Sequence, residues 1–406
     1  MQSWARMEKY DVIICGAGPA GLMTAYTLGS TASGSLKILL LDRREPWREP
    51  VCCAEAVGSG MFSGLLPVDP TFVRCYCSWI NYTSPKGYTA GIYKKDRSII
   101  LNRAKFHRWL WDKCLEVGVD CRCNAAVKAL ERRDSWWDVT VEKGGTHHII
   151  SAPAVVDATG PGTRITRDIP CLKGIESGYE NMGLAIFAVA EGVPCNKEAL
   201  QLFYGSAFAD GYGWIFPRDD DAVNIGLGMT ARAAQGLSLR QKLLDFISRN
   251  NPHAKIRTIC GGKVPLHGKH HRPFAMHGLF KAGDAAGCVN PIFGSGISEA
   301  LECGKIVGEN IPDWLGKADA EERCHVEERV FDQWMDSCGY FYQKSAQAKE
   351  IMNKITDDQW DVFLHHLSGL PQEEQTSVLD TLSSSPWLWP VMVWQIYVGS
   401  KNKNFC

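Results

Sequence analysis

Tyr10-Asp-Val-Ile-Ile-Cys15-Gly16-Ala-Gly18-Pro-Ala-Gly21 is the stretch that decides the fold. Residues 10–15 read as a buried strand, and an amphipathic helical pattern follows to about Leu28. Between them stands a G-x-G-x-x-G turn. Gly16 permits the tight turn, Gly18 lets the backbone approach a pyrophosphate, and Gly21 allows the helix to pack closely on the strand. The helix N-terminus then faces the negative charge. Leu36–Leu41 is a second buried strand, and it ends at Asp42, about 20 residues beyond the last glycine, where a carboxylate accepts from a ribose hydroxyl. Strand, turn, helix, strand and acid together predict a βαβ dinucleotide-binding opening. The plainer alternative is an ordinary tight turn with Asp42 as a surface acid.

Sequence of the same kind returns twice. Val155-Val-Asp157-Ala-Thr-Gly160 reads as a strand and turn beside the same dinucleotide, and Gly283-Asp284-Ala-Ala-Gly287 marks a third approach. Between Met182 and Met229 the pattern is β, with strands expected at Leu184–Ala190, Leu200–Tyr204, Gly213–Phe216 and Ala222–Gly228. The acidic run Asp219–Asp221 falls between the last two and reads as a hairpin turn. Residues 45–83 read as irregular, Phe106–Val117 and Leu239–Ser248 as helices, and the chain from about Ala318 as helical and rich in Trp and Tyr. The fold expected is α/β (α+β overall). A discontinuous Rossmann-like dinucleotide-binding domain takes 8–80, 100–165 and 260–315. An inserted antiparallel β-sheet substrate domain takes 81–99 and 166–259, and a helical C-terminal region takes 316–406.

Composition narrows the function classes. The 406 residues exceed one ordinary hydrophobic core. The net charge of −1 gives no global field that would recruit nucleic acid or anionic lipid. Sixteen cysteines in a chain this long, with no visible signal peptide, favour a reducing cytoplasm over a disulfide framework. Cys75-x-Cys77 and Cys121-x-Cys123 have strand spacing rather than zinc spacing, so no metal is assigned. The apolar stretch Pro386–Val398 is too short to span a bilayer, but its Trp387, Trp389 and Trp394 suit a pocket lid or a surface anchor touching lipid, with a helix packed on the domain as the alternative. The adjacent pairs His147-His148, His270-His271 and His365-His366 are read as surface or strand histidines.

The first glycine motif serves NAD and FAD equally, and the late segment separates them. Gly283 lets the chain pass close to a cofactor, Asp284 can accept a ribityl hydroxyl, and a helix opening near Gly294–Gly296 can aim amides at a flavin pyrimidine carbonyl. Arg103 reads either as a ligand of the diphosphate or as a surface arginine before a helix.

The three segments together resemble the p-hydroxybenzoate-hydroxylase-like flavoproteins. Two further motifs are similar to those of the geranylgeranyl reductase family: Tyr212-Gly-Trp214-Ile-Phe216-Pro217 with the trailing Asn224-Ile-Gly226-Leu-Gly228, and Cys53-Ala-Glu55. The resemblance covers residues 8–310. It implies hydride transfer from reduced FAD to a carbon–carbon double bond of a prenyl lipid, with NAD(P)H or a ferredoxin as electron donor. An isolated alkene has no carbonyl to take up the electron pair, so a positioned acid and a dry pocket are required. Cys53, taken as the family cysteine in preference to its neighbour Cys52, is expected to donate the proton or to position its donor, with Glu55 as the competing acid or relay; the plainer alternative for both is a structural loop. Tyr212, Trp214 and Phe216 alternate along one strand, so they share a face; the resemblance implies that they line the pocket, with a place in the core as the alternative. Two other readings stand beside this one: a flavin monooxygenase or halogenase of the same superfamily, and a non-catalytic flavin electron carrier.

Overall fold

The computed structural model describes residues 8–32, 34–62, 64–162, 165, 166, 169, 182–266 and 274–403. Its centre is the predicted βαβ unit. Val12–Cys15 and Ile38–Leu41 are wholly buried parallel strands, consistent with their unbroken apolar runs, and the helix Pro19–Ala32 connects them. Ala154–Asp157 pairs with Val12–Cys15 on the other side, and Leu279–Lys281 pairs with Ala154–Asp157, both in parallel. Three distant stretches of chain therefore lie side by side in one six-stranded sheet, completed by Asp120–Arg122 and Ala275–Met276. The helix Ile297–Gly316 packs against Pro19–Ala32 over this sheet.

A second sheet of eight strands stands beside it. Its order is Lys255–Pro265, Met182–Glu191, Ala222–Thr230, Tyr212–Pro217, Ala199–Phe203, Val73–Thr83, Thr89–Leu101 and Ala56–Gly58. The pairing is antiparallel except between Ala199–Phe203 and Val73–Thr83. The four strands expected between residues 182 and 229 are all present, and Asp219–Asp221 does turn a hairpin. Each acid of that turn meets a base: Asp219 meets Arg74, Asp220 meets Arg218 and Arg257, and Asp221 meets Lys197.

The expectation of irregular chain through residue 83 is corrected, because Val73–Thr83 is an eleven-residue strand. Only Cys77 and Tyr82 along it are fully buried, and its register slips twice against its neighbour, so no clean alternation shows in the sequence. A third sheet, of four strands, joins Glu8–Lys9 to the meander over residues 126–152.

The C-terminal helices cover the large sheet. Asp357–Ser368 and Gln372–Ser384 pack on Thr89–Leu101. The fully buried Trp389 lies 5.5 Å from Tyr82 and 5.8 Å from Trp360 between ring centroids. No helix among the described residues is long and apolar enough to cross a membrane.

Candidate active site

A cavity of about 330 Å³ opens where the two large sheets meet. From the dinucleotide side Gly18, Pro19, Ala20, Arg103 and Asp284 line it, and from the large sheet Leu184, Phe187, Tyr212, Trp214 and Met229. Cys52, Cys53 and Ala54 close it between the two.

The glycine turn has the geometry its spacing implies. A Cβ on Gly21 would fall 1.8 Å from the Gly16 carbonyl oxygen, and a Cβ on Gly16 would fall 2.3 Å from the Ala158 carbonyl oxygen, so both positions are required for strand and helix to close. A Cβ on Gly18 would meet nothing within 4 Å, which leaves its cavity side open to a ligand. Asp42 stands outside the cavity, where its carboxylate accepts from the Ala17 amide at 2.8 Å and the Arg44 amide at 3.0 Å and so braces the turn. Gly283, at φ +64°, also lies outside and lets the chain press against Ala20. Gly294, at φ +63°, and Gly296, the residue preceding the helix Ile297–Gly316, both line the cavity.

Arg103 is not a surface residue. It opens the helix Arg103–Glu116, is almost wholly buried, and donates from Nη1 to Cys53 Sγ at 3.0 Å. Its Nη2 donates to His107 Nε2 at 2.9 Å, one helical turn along. That assigns His107 the tautomer whose Nδ1 donates to the Pro46 carbonyl at 2.8 Å. Burial and the charge of Arg103 push the imidazole down to about 3, so it is neutral and can accept. Sequence reasoning passed over His107, although its spacing from Arg103 was a signal. The Arg103 Nε is buried without a hydrogen-bond partner among the described residues.

Cys53 therefore sits between two donors, Arg103 Nη1 and the Glu55 amide at 3.2 Å. Both point at the sulfur lone pairs, which leaves the S–H proton free to be aimed into the cavity. Cys52 is different: it forms a disulfide with Cys260, tying this loop to the strand Lys255–Pro265. A single tie of this kind is not the disulfide framework that the cysteine count argued against.

Glu55 does not reach the cavity. Its carboxylate is buried against Arg218 Nη1 at 2.7 Å and Arg74 Nε at 3.5 Å. Burial pushes its carboxyl up, while Arg218, Arg74 and Arg103 oppose the rise. At φ +71° its backbone is left-handed, which turns the chain after Cys53. Phe216 is likewise withdrawn. It shares the face of Tyr212 and Trp214 but packs behind Trp214, with ring centroids 6.2 Å apart, outside the cavity lining.

The remaining members hold the wall in place. Trp214 Nε1 donates to Asn224 Oδ1, and Asn224 Nδ2 donates to the Cys53 carbonyl, both at 2.9 Å. Gly226 accommodates the Trp214 indole, since a Cβ there would fall 2.4 Å from it. The Tyr212 hydroxyl donates to the Phe293 carbonyl and ties this sheet to the late glycine loop. Lys349 lies between this cavity and a second one, and its Nζ donates to the Pro291 carbonyl at 2.7 Å. Burial lowers it to about 8 against the opposing pull of Asp210.

Asn224 carries a test of this bracing. Asn224→Leu strands a buried indole N–H and the Cys53 carbonyl, at a cost of about 2–4 kcal/mol. Thermal denaturation should show a clear fall in midpoint, and a leucine variant melting with the parent would refute the role.

The family model described as the geranylgeranyl reductase catalytic domain matches residues 182–264, the strands that carry Tyr212, Trp214 and Asn224. A digeranylgeranylglycerophospholipid reductase of Methanocaldococcus jannaschii is 28% identical over 89% of this chain and 91% of its own length. One from Methanothermobacter thermautotrophicus is 29% identical over 93% and 97%. Over those strands this chain is similar to the geranylgeranyl reductases. Among solved structures, a geranylgeranyl bacteriochlorophyll reductase-like protein of Thermoplasma acidophilum superposes with a TM-score of 0.86, at 20% identity over 96% of this chain and 99% of that one. A flavin-dependent brominase superposes at 0.68, with 18% identity over 97% and 100%. The fold of this chain is thus shared with a flavin-dependent brominase.

Proposed function

We propose that this protein is a member of the geranylgeranyl reductase family that binds FAD and saturates carbon–carbon double bonds of a geranylgeranyl or related prenyl chain carried on a lipid. The observation that carries the proposal is the Cys53 thiol, held by Arg103 and Glu55 in the wall of a cavity that also contains the dinucleotide turn. The residues fit FAD: the open face of Gly18 suits a pyrophosphate, and the unpartnered Nε of Arg103 suits an anion. Gly18, Arg103, Asp284, Gly294 and Gly296 would hold the cofactor, with Asp42 beyond the cavity at the ribose end. FAD when bound supplies the hydride. NAD(P)H or a ferredoxin then serves as the electron source.

Cys53 supplies the proton to the second alkene carbon, and Arg103 and the Glu55 amide fix the sulfur that carries it. Leu184, Phe187, Met229, Ile292 and Phe293 exclude water around the chain. The faces of Tyr212 and Trp214 ease positive charge that builds on carbon, an effect of roughly 0.5–2 kcal/mol. Glu55 acts as a positioning residue that turns the loop.

The purified protein should be yellow, and denaturation should release FAD. Incubated under reducing conditions with a prenyl lipid, it should yield products heavier by two hydrogens for each bond saturated. A colourless protein that cannot be reconstituted, or a product that gains oxygen or halogen, would overturn the proposal.

A further inference from the structure

A helix in a water-soluble fold normally turns its tryptophans inward, and Trp389 does so, at 2% exposure. Its neighbours do not. Trp387 is 40% exposed and Trp394 58%, and Val391, half exposed, lies one turn from each. Beside them the helix Tyr340–Met352 presents Tyr340 and Ile351 outward, 58% and 53% exposed, with Lys344 on the same face. The two elements touch. Phe341 and Trp387 lie 6.2 Å apart between ring centroids, and Lys344 Nζ sits 5.6 Å over the Trp387 ring.

Among the described residues twelve large hydrophobic side chains are exposed, and five fall on these two short neighbouring segments. Single exposed hydrophobics are ordinary, but a concentration of this kind marks an interaction surface.

We infer that this face docks the protein on a lipid bilayer. Its chemistry favours that occupant: tryptophan and tyrosine place an apolar body in the acyl boundary and a polar edge among headgroups. Lys344, whose ammonium stands over the Trp387 ring at this face, meets lipid phosphate. The contact is peripheral, as no described helix can cross the membrane. The position of the face also fits. The inner side of the helix Tyr340–Met352 supplies Lys349 and Met352 to the cavity walls, so a bilayer on its outer side lies about one helix diameter, roughly 10 Å, from where a prenyl chain would enter. The inference rests on the lipid substrate proposed above.

The test uses the FAD-loaded protein and vesicles of phosphatidylcholine containing phosphatidylglycerol. The double variant Trp387→Ser/Trp394→Ser and, separately, Val391→Glu should each lower vesicle affinity in flotation by about ten-fold or more. Turnover of a detergent-dispersed prenyl lipid should stay at the parental rate, since none of the three residues lines either cavity described above. Variants that float like the parent, or a parent that does not float while it reduces dispersed lipid, would overturn the docking surface and leave the proposed function standing. A parental dimer that the variants dissociate assigns the face to a second copy of the chain and also overturns it. A parent that floats but reduces no prenyl lipid supports docking and refutes the proposed activity instead.

Discussion

Replacing Cys53 with Ala should leave flavin binding and chemical reduction of the flavin nearly intact, while reoxidation by a prenyl lipid slows by about 100-fold or more. That is the lower scale for loss of a positioned acid. The separation of effects follows from geometry. The sulfur accepts from Arg103 and from the Glu55 amide, so neither contact consumes its proton, and the side chain lines the cavity rather than the glycine turn. Cys53→Ser keeps a hydroxyl in place, but an alcohol is a far weaker acid than a thiol, so it should be nearly as slow. Stopped-flow absorbance of the prereduced enzyme mixed with lipid gives the rate directly. Parental reoxidation in both variants would leave the loop structural and a bound water as the remaining donor.

Cys52 supplies the internal comparison. Cys52→Ala removes the tie to Cys260, which closes a loop of 208 residues, so its effect belongs mainly to stability, in the range of about 2–5 kcal/mol. Per bound flavin its reoxidation should stay within a few-fold of the parent. If Cys52→Ala is the slow variant and Cys53→Ala the unstable one, the assignment of the two sulfurs is reversed.

What the sequence disclosed and what it withheld divide along a physical line. Gly16, Gly18 and Gly21 were legible because a steric demand on the backbone leaves only one residue type, and their spacing sits between strand and helix. The alternation of Tyr212, Trp214 and Phe216 was legible as a shared face, but how far along that face the cavity extends depends on what packs opposite, and Phe216 falls beyond its edge. Glu55 looked like an acid because the sequence does not show that Arg74, from another strand, and Arg218, beside a distant hairpin turn, arrive to engage it. Asn224 was legible only as the start of a trailing motif, and its bracing role was not, because its partner Cys53 lies 171 residues away. Arg103 was left between two readings because its burial, and the neutral His107 that orients it, come from packing and not from local pattern. Local stereochemistry was readable; pairings between distant segments were not.

Asp284 yields the other large effect, and its sign can be worked out. Its carboxyl borders the cavity close to Glu299, whose own oxygens receive hydroxyls from Ser295, Ser298 and Tyr342. Burial, reinforced by the charge of Glu299 and opposed by Arg103, pushes Asp284 up to about 7. In the unfolded chain an aspartate titrates near 3.9. Between those values the folded protein holds a proton that the unfolded chain has released. Stability therefore falls as pH rises through the window from about 4 to about 7, and the loss is complete above it. The difference between the two states corresponds to about 4 kcal/mol, an upper bound because the carboxyl is partly open to the cavity. Asn cannot ionise, so Asp284→Asn should remove this slope. Flavin-free parent and variant should be closest in stability near pH 4, with the variant progressively the more stable of the two as pH approaches 8. Urea denaturation of both proteins at intervals across that range measures the difference directly, and cancels every other titrating group they share. Curves that stay parallel from pH 4 to 8 would show that Asp284 is ionised in the folded protein and that solvent in the cavity outweighs its burial.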